Sequence, residues 1–539
     1  MGKKNLAELL VETLLAAGVK RIYGIAGDSL NGITDVIRAD ERIKWIHVRR
    51  EETAAFAAGA EAHLTGRLAV CAGSCGPGNL HLINGLYDAN RSRVPVLVIA
   101  SQIPSYEIGS QYFQETHPES IFRECSHYCE LISQAEQMPR LHFPPLNAMV
   151  RPFDEDIARV TAILNESRKL TILGGAGCAG AHAELIELAK KLKAPIVHAL
   201  RGKEFIEYDN PFDVGMTGLL GLSSGYHAMM DCDTLLMLGT DFPYQQFYPE
   251  KATIIQVDIR GEQIGRRTKV DVGLIGDVKS TIRSLLPGLN EKMDDQHLSV
   301  SIQRYQKART ELDELAAGEA DQKTIHPQYV AKVINELAAE DAIFTCDVGT
   351  PTIWAARYLS MNGKRRLLGS FSHGSMASAL PQAIGAQLVY PDRQVIAMSG
   401  DGGLTMLMGD LLSLRQLGLP VKLIVFNNSA LAFVELEMKA AGMLDFATDL
   451  CNPDFAKMAE AAGVLGLRAD VPEHVRPILV QALSHPGPAL VEVVVDRQEL
   501  ALPPSVKLDQ IKGFSLFMMK AVINGRGSEV IDLLKTNLF

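Results

Sequence analysis

The residues best suited to carry chemistry lie in two turns in the C-terminal half of the chain. The first turn is Gly400-Asp401-Gly402-Gly403, and the second is Asn427-Asn428. Each turn follows a short apolar run, and the segment between them has the length and composition of a helix, which predicts a strand–helix–strand unit. Parallel strands bring their carboxyl ends to one edge of a sheet, where ligands bind. We therefore expect both turns to face one site.

The predicted site combines oxygen ligands with an accessible backbone. The carboxylate of Asp401 and an amide oxygen of the Asn pair are ligand types suited to Mg²⁺. The glycines after Asp401 allow a diphosphate to approach the main chain closely. Two unrelated turns are the alternative interpretation, but the strand–helix–strand unit between Gly402 and Asn427 argues against it.

The elements that must position this site belong to a pattern of helix, short apolar strand, glycine turn and helix. Its recurrence predicts an α/β fold with three doubly wound parallel-sheet domains. The helix that crosses over between the two turns is predicted over 404–417. The predicted strands are 21–25, 44–48, 68–72, 94–100, 170–173, 195–199, 234–238, 253–258, 342–346, 394–399, 421–426 and 489–495. The predicted segments are the domains 1–150, 151–289 and 326–496, the polar helical linker 290–325 and the amphipathic tail 497–539.

The composition excludes several classes of protein. Of the 539 residues, 47% are hydrophobic and 22% are charged, which excludes a disordered chain or a coiled coil. The formal net charge of -10 argues against a general nucleic-acid-binding protein. No apolar run reaches the roughly 18 residues that span a bilayer, and the first ten residues lack the apolar core of a signal peptide. The eight cysteines show no zinc-type spacing, so we expect reduced thiols and a cytosolic protein.

The two turns resemble the cofactor signature of thiamine diphosphate-dependent enzymes. The resemblance implies that Asp401, Asn428 and the carbonyl of Ala430 bind Mg²⁺. It also implies that the third domain binds the diphosphate. The remaining residues that it places at thiamine diphosphate in this part of the chain are Gly402, Gly403, Ser429, Leu431, Ala432, Phe433 and Val434.

The first domain resembles the pyrimidine-binding domain of the same family. Arg49-Arg50-Glu51-Glu52 precedes an Ala-rich helix, and the resemblance assigns the catalytic carboxylate to Glu51. In the family this carboxylate binds the aminopyrimidine and promotes proton transfer within the cofactor. Arg50 stands where the family has a His, which leaves the role of Arg50 open. An exposed, charged helix start is the alternative interpretation of the same four residues.

Further matches surround the expected reaction centre. By resemblance, Met376 supports the bent cofactor, the Gly374 carbonyl accepts a hydrogen bond from the aminopyrimidine, and Ser375 lies beside it. Cys75-Gly76-Pro77-Gly78-Asn79 resembles a ligand-edge turn of the first domain. Taken one by one, these segments also suit ordinary turns and helix packing. The resemblance assigns four further active-site residues, Phe113, Gln114, Phe433 and Glu437.

The middle domain carries a glycine-rich turn, 175–180, that matches GxGxxG. An independent nicotinamide domain would also need an acidic residue about twenty positions later, and the sequence lacks one there. The flavin-containing branch of the thiamine diphosphate family uses this loop to bind FAD instead. The residues that the resemblance places at FAD are Gly175, Gly177, Thr217, Gly218, Leu219, Leu220, Thr240, Asp241, Phe242, Pro243, Tyr244 and Asp258.

Within the flavin-containing branch, the chain resembles the bacterial quinone-linked pyruvate oxidases. This resemblance implies oxidative decarboxylation of pyruvate to acetate and CO₂, with electrons passed through FAD to ubiquinone. It further implies a homotetramer with active sites between subunits, bound peripherally to phospholipid on the cytoplasmic face of the inner membrane. The tail supports membrane binding, because Phe514, Phe517, Met518, Ala521 and Val522 have the spacing of one helical face. Packing of this face on the protein's own domain is the alternative.

Two other functional interpretations remain open. A FAD-containing acetolactate synthase is a carboligase that uses flavin largely as structure. An inactive, truncated homologue is the other, because the end of the first domain departs from the family pattern. Residues 137–140 run directly into 141–145, and roughly thirty residues that would form a helix and a buried strand are missing. Loss of a central strand would expose apolar surface and unpaired backbone groups.

Overall fold

A computed structural model of the chain describes residues 4–132, 137–138, 148–318, 324–499, 508–524 and 526–538. Over these ranges the chain forms three α/β domains, each built on a wholly parallel sheet. The predicted fold class is therefore confirmed. The start of the segment that departs from the family pattern is described only at 137–138, and its continuation over 139–147 lies outside the described residues.

The first domain has, in its described residues, a sheet of four strands in the order β2-β1-β3-β4. The strands are β1 (Arg21–Gly24), β2 (Lys44–His47), β3 (Ala69–Gly73) and β4 (Val96–Ala100). The helices are α1 (Leu6–Ala16), α2 (Asn31–Asp40), α3 (Glu51–Thr65), α4 (Pro77–His81), α5 (Ile83–Ser92) and α6 (Pro118–Ile121).

The central domain has a six-stranded sheet in the order β10-β9-β8-β5-β6-β7 across the described part of this region. The strands are β5 (Leu170–Gly174), β6 (Ile196–His198), β7 (Asp213–Met216), β8 (Thr234–Leu238), β9 (Thr253–Asp258) and β10 (Val272–Ile275). The helices are α7 (Asp154–Glu166), α8 (His182–Leu192), α9 (Lys203–Ile206), α10 (Ser223–Met230) and α11 (Val278–Leu285), followed by the linker helix α12 (Gln296–Leu315).

The third domain has a six-stranded sheet in the order β12-β11-β13-β14-β16-β15, counted over residues 324–499. The strands are β11 (Ile343–Cys346), β12 (Arg366–Gly369), β13 (Val395–Gly400), β14 (Lys422–Asn427), β15 (Leu465–Ala469) and β16 (Ala489–Val494). The helices are α13 (Pro327–Leu337), α14 (Thr350–Tyr358), α15 (Ala379–Val389), α16 (Asp401–Leu407), α17 (Leu411–Leu417), α18 (Ala432–Ala440), α19 (Phe455–Ala461) and α20 (Pro472–Ser484).

The first and third sheets share one topology up to their fourth strand. The order β2-β1-β3-β4 repeats as β12-β11-β13-β14, and the third sheet then continues with β16 and β15. β14 is therefore paired on both sides, whereas β4 is an edge strand among the described residues. All five residues of β4 are partly exposed, although all five are apolar. This is the exposed apolar edge that the shortened sequence predicts.

All twelve predicted strands are present, with ends that differ by no more than two residues. The sequence pattern missed β7, β10, β12 and β15, which are short and lie at or next to sheet edges. The single helix predicted over 404–417 is wrong, because a 3₁₀ turn at Met408–Asp410 separates α16 from α17. Asp410 at this break accepts hydrogen bonds from the Thr53 hydroxyl and the Arg49 N–H of the first domain.

The Ala-rich helix α3 is almost wholly buried, and it packs against α15 of the third domain. The two backbones approach closely at Gly385, where an added Cβ would lie 2.2 Å from the Ala57 carbonyl oxygen. Small side chains therefore permit the contact, just as they do between packed helices in general. The packing fixes Glu51, the first residue of α3, relative to the third domain.

The tail forms two helices, α21 (Leu508–Ile523) and α22 (Gly527–Leu538), and α21 packs against α18. Phe517 and Ala521 are fully buried, while Val522 is 60% exposed. The predicted single face is therefore wrong at Val522, which lies with Leu516, Met519 and Ile523 on the solvent side. Among the described helices, none has the length and apolar character needed to cross a bilayer.

Candidate active site

The two turns singled out in the sequence meet at the carboxyl edge of the third sheet. β13 ends at Gly400 and β14 ends at Asn427, on neighbouring strands. The Ser429 N–H donates to Asp401 Oδ2 at 2.8 Å, and the Asn452 side chain donates to the same oxygen at 2.7 Å. Ser429 has a φ of 55°, so the chain turns sharply just after the Asn pair. These bonds hold the carboxylate and the turn together.

The electrostatics of this edge suit a bound cation. Asp401 is 3% exposed, and burial raises the pKa of its carboxyl above the usual value. A divalent ion would offset this penalty, because a nearby positive charge favours the ionised carboxylate. The described residues contain no cluster of three or more His, Cys, Asp or Glu side chains fit for a metal. The predicted Mg²⁺ ligands are not such a cluster: they are the Asp401 carboxylate, the Asn428 amide and the Ala430 carbonyl.

A buried carboxylate that the sequence pattern missed organises the neighbouring segment. Asp347 Oδ1 accepts the Ala379 N–H at 2.8 Å, and its Oδ2 accepts the Ser399 hydroxyl. Burial raises the pKa of Asp347 to about 6. Gly403 fits against this side chain only because it lacks a Cβ, which would lie 2.4 Å from Asp347 Oδ2. Asp347 thereby ties the end of β13 to the segment that carries Met376.

Met376 lies against the glycine turn. Its Cε would be 3.4 Å from a Cβ added at Gly402. Gly374 has a φ of 86°, and the adjoining Ser375 N–H donates to the Ser370 hydroxyl at 3.0 Å. The Met376 side chain is thus held beside the Asp401 turn, and the role of Gly374 and Met376 in bending a cofactor stays a prediction.

The predicted catalytic carboxylate lies in a separate cluster on the first domain. Glu51 is 6% exposed, its Oε2 is 3.0 Å from His81 Nδ1, and its Oε1 lies close to Gly78. The neighbouring Glu52 instead pairs with Arg50 at 3.1 Å. The two carboxylates therefore differ in environment: the first is enclosed and the second belongs to the charged helix start.

The predicted substrate loop lies beside this cluster. Gln114 accepts a hydrogen bond from the Cys75 thiol at 3.4 Å, and it packs on Gly76, where an added Cβ would be 2.9 Å from Gln114 atoms. Phe113 next to it is 76% exposed. Gln114 has a φ of 63°, so the loop is held in an unusual backbone conformation at this position.

A cavity of about 1020 Å³ lies where the three domains meet. This volume is at the upper end of the roughly 300–1,000 Å³ typical of small-molecule sites. All twelve residues that the sequence places at FAD line it. Gly374, Phe433 and Glu437 of the third domain line it as well. The predicted flavin residues and part of the predicted thiamine site thus border one space.

The lining of the cavity fits a dinucleotide. Gly175 and Gly177 pack on the Gly239-Thr240 backbone, where added Cβ atoms would lie 2.5–2.6 Å from their neighbours. The buried Thr217 hydroxyl has no hydrogen-bond partner among the described residues, so it is free to bind a ligand. Burial raises the pKa of Asp258, which ends β9 at the same edge. A ligand with several hydroxyl and phosphate groups would satisfy this lining.

The structure does not bring every predicted residue to this cavity. Glu51, Phe113, Gln114 and Asp401 are not among the residues that line it. Within the described part of the chain, no hydrogen bond or ion pair joins Glu51 to the Asp401 turn. Asn84 is one link between the two halves, because it bridges the side chains of Glu52 and Ser375 at 2.8 Å each.

Comparison with known proteins agrees with this arrangement. Three family models match: the N-terminal TPP binding domain, the central domain and the C-terminal TPP binding domain of thiamine pyrophosphate enzymes, over residues 4–121, 157–285 and 347–493. A putative thiamine pyrophosphate-containing protein from Bacillus subtilis is 34% identical over 99% of both chains. The chain belongs to the thiamine pyrophosphate enzyme family. Its α/β fold and its thiamine diphosphate dependence follow from this membership.

Other relatives of this thiamine pyrophosphate enzyme differ in their described activity. A 42.6 kDa protein from Pseudomonas amyloderamosa is 57% identical over 60% of this chain and 90% of its own length. A pyruvate oxidase from Lactiplantibacillus plantarum is 28% identical over 93% of this chain and 90% of its own length. Acetolactate synthases match at 27% to 29% identity. The alignment with the Bacillus protein has 577 positions against 539 residues here, so this chain carries gaps relative to that protein.

Proposed function

We propose that this thiamine diphosphate enzyme decarboxylates pyruvate oxidatively to acetate and CO₂, with FAD as electron carrier and ubiquinone as acceptor. The single observation that carries the proposal is the shared cavity. All twelve candidate flavin residues line it together with Gly374, Phe433 and Glu437 of the thiamine side. A flavin held by these residues would border the thiamine side of the cavity, as electron transfer requires.

The side chains that would hold the thiamine cofactor have distinct tasks. Asp401, Asn428 and the Ala430 carbonyl bind Mg²⁺, and Gly402 and Gly403 let the diphosphate approach the backbone. When bound, thiamine diphosphate supplies the carbon at which the 2-oxo acid loses CO₂. Ser429 and Asn452 keep the Asp401 carboxylate oriented through their hydrogen bonds.

The carboxylate of Glu51 would form a hydrogen bond to the aminopyrimidine of the cofactor and promote proton transfer there. Its carboxylate is enclosed, so that a hydrogen bond to a ring nitrogen is strengthened by the low local dielectric. His81 Nδ1, 3.0 Å away, orients the carboxylate. Gln114 and Phe113, in the loop beside Glu51, are placed to contact the substrate and to exclude water.

The enzyme is proposed to act as a homotetramer with active sites between subunits. The support is the separation of the two half-sites within one chain. Glu51 lies in a cluster with His81 and Gly78, and the Asp401 turn lies in another. A second copy that faces its Glu51 cluster toward the Asp401 turn completes the site.

Membrane binding through the tail is proposed as the route to ubiquinone. α21 packs on α18, the helix that carries Phe433 and Glu437 at the cavity. The Arg526 guanidinium binds Asp445 at 2.7 Å, and the Lys520 ammonium binds the Gly442 carbonyl at 2.7 Å. These contacts are only partly buried, since the Arg526 side chain is 34% exposed, and we expect them to break reversibly. Release of the tail would free an apolar face for phospholipid at the cytoplasmic face of the inner membrane.

A FAD-containing acetolactate synthase is the second candidate function. Its support is the presence of acetolactate synthases among the relatives at an identity similar to that of the pyruvate oxidase. An inactive homologue is the third candidate, and its support is the open edge at β4. The carboligase has no need for a membrane-seeking tail, which favours the oxidase.

One experiment separates the three candidates. The purified protein is first examined for the yellow absorption of bound FAD, then given pyruvate, thiamine diphosphate, Mg²⁺ and a ubiquinone analogue. Acetate with stoichiometric reduction of the quinone supports the proposed oxidase. Acetolactate without acceptor reduction overturns it in favour of the carboligase. A colourless, inactive protein overturns both in favour of the inactive homologue.

A further inference from the structure

Arg201 occupies the junction of all three domains. It follows β6 of the central domain, and its Nη2 donates to the Ser92 carbonyl of the first domain at 3.1 Å. Its Nη1 donates to the Ser372 hydroxyl of the third domain at 3.2 Å. The same side chain lines the large cavity. Nothing in the sequence pattern pointed to this residue.

The guanidinium of Arg201 has no carboxylate partner of its own. No carboxylate oxygen of the described residues lies within ion-pair distance of it, whereas the nearby Arg93 is paired with Asp241 at 2.6 Å. Burial lowers the pKa of Arg201, and the positive charge of Arg93 lowers it further, while the more distant carboxylates of Asp241, Asp88 and Glu204 oppose the shift. An arginine stays protonated even so. The wall of the cavity thus carries an enclosed cation whose two protein acceptors are neutral.

An enclosed cation without a directly paired carboxylate favours an anion in the adjoining space. The position of Arg201 decides which anion. Its partner Ser372 is two residues from Gly374, at the thiamine end of the cavity, while Gly175 and Gly177 mark the dinucleotide turn. Gly202, next to Arg201, packs on Gly175 of that turn, but the Arg201 guanidinium points to Ser372 on the third domain. Arg267, another arginine of the cavity, instead donates to the Asp241 carbonyl at 3.2 Å, beside Thr240, on which the turn packs, and is placed for the diphosphate.

We propose that Arg201 contacts the N1–C2=O edge of the flavin ring and stabilises its reduced, anionic form. This assignment rests on the proposed FAD site. An isoalloxazine that takes up two electrons and one proton carries one negative charge, which is spread over this edge. A guanidinium there donates N–H groups to the ring and raises its tendency to accept electrons, since charge near N1 tunes flavin electronics. Arg201 would thus help draw electrons from the thiamine side.

The test compares Arg201→Met, which removes the charge, with Arg201→Lys, which keeps it. Arg38→Met, an exposed arginine on α2, serves as the matched control. The midpoint potential of the bound flavin is measured by anaerobic dye equilibration, without pyruvate, and the FAD dissociation constant by fluorescence. Arg201→Met should bind reduced FAD at least tenfold more weakly relative to oxidised FAD, a fall of about 30 mV for two electrons. The flavin potential of Arg201→Lys should stay close to that of the wild type, and that of Arg38→Met should be unchanged.

The other outcomes overturn the assignment in distinguishable ways. Weaker FAD binding with an unchanged potential would place Arg201 at the diphosphate. Unchanged FAD binding and flavin potential in Arg201→Met would show that Arg201 only links the three domains. If Arg201→Met does not fold, Arg201→Gln supplies the neutral side chain instead. Flavin potentials that fall equally in Arg201→Lys and Arg201→Gln would also reject the role of charge. A wild-type protein without FAD refutes the flavin proposal itself, whereas a FAD-containing protein that makes acetolactate refutes only the oxidase.

Discussion

The Nζ atom of Lys439 lies 5.3 Å from the centroid of the Phe517 ring. Lys439 belongs to α18 and Phe517 to α21, and both side chains are buried. The same ammonium is 3.3 Å from a Glu529 carboxylate oxygen of α22 and 3.0 Å from the Gln498 side-chain oxygen. One cation therefore holds both tail helices on the helix that carries Phe433. The contact places the tail where it can influence the cavity.

Deletion of residues 513–539 should abolish lipid binding and raise the basal rate. Without α21 the cavity-lining helix α18 is no longer held, so pyruvate-dependent reduction of a soluble dye without lipid should increase severalfold. Ubiquinone reduction should fall because the enzyme no longer reaches the bilayer. Dye and quinone assays are run alongside vesicle co-sedimentation, with and without pyruvate.

A point variant sharpens this test. Phe517→Ser should mimic the basal activation, because burial of an aromatic ring supplies several kcal/mol at roughly 25 cal/mol per Å². Ile523→Ser, on the same helix but 77% exposed, is the matched control and should leave the basal rate unchanged. Full sedimentation of the truncated protein would place the anchor elsewhere, and an unchanged basal rate in Phe517→Ser would show that the tail only packs.

Glu51→Gln should leave FAD bound and lower pyruvate turnover by about 100-fold or more, the range of general acid–base contributions. The amide cannot take part in proton transfer at the aminopyrimidine, although it keeps the shape of the side chain. Glu155→Gln is the matched control, since that carboxylate is exposed in the first turn of α7. Near-normal acetate formation by Glu51→Gln would remove this residue from the mechanism.

Asp401→Ala should weaken Mg²⁺-dependent binding of thiamine diphosphate by about 100-fold or more, because loss of even a residue that only supports a metal ligand costs about 10–100-fold. Titration calorimetry with cofactor and Mg²⁺ measures the loss directly. Wild-type affinity should also fall in acid, because burial raises the pKa of Asp401 and the metal needs its ionised form. Asp454→Ala, at the start of α19 outside the turn, is the control. Unchanged affinity in Asp401→Ala would contradict the metal assignment.

Asp213→Asn should stabilise the protein more at pH 8 than at pH 5. Burial raises the pKa of Asp213 to about 8, with Glu207 as a further cause, while Lys203 and Tyr305 oppose the shift. The folded state therefore retains a proton that the unfolded state releases, and stability is lost as the pH rises from about 4 toward 8. The amide of Asp213→Asn removes this loss of stability. The difference in thermal unfolding midpoint between variant and wild type should therefore grow by ~2 °C or more from pH 5 to pH 8.

The neighbouring His198 does not account for this effect. Burial lowers the pKa of His198 to about 4, so its contribution to stability is lost in acid, in the opposite direction. Thermal melts of both proteins at four pH values give the comparison. A midpoint difference that is flat across pH, or larger at pH 5, would show that Asp213 is ionised in the folded protein.

The open edge of the first sheet should be visible in hydrogen exchange. The amides of β4 should exchange at least tenfold faster than those of β14, which occupies the same place in the third sheet but is paired on both sides. Mass spectrometry of peptides from the two strands makes the comparison within one sample. Equal protection would mean that another segment or another molecule covers β4.

The sequence by itself was sufficient for the parallel-sheet architecture and for the Asp401 turn. Short apolar runs bounded by glycine turns are typical of buried parallel strands, and all twelve predicted strands are present. The turns at Asp401 and Asn428 follow from the same local signals. The sequence also showed the shortened end of the first domain, because residues 137–145 depart from the family pattern there.

Tertiary structure decided the features that depend on partners far apart in sequence. β7, β10, β12 and β15 are short and lack a long apolar run, and their neighbouring strands define them. Asp347 and Arg201 look like ordinary charged residues until folding encloses them. In the tail, helical spacing predicted an apolar face, but contact with α18 buried Phe517 and left Val522 exposed. Periodicity is local, whereas burial, pairing and the sharing of one cavity by three domains depend on contacts that only the folded chain creates.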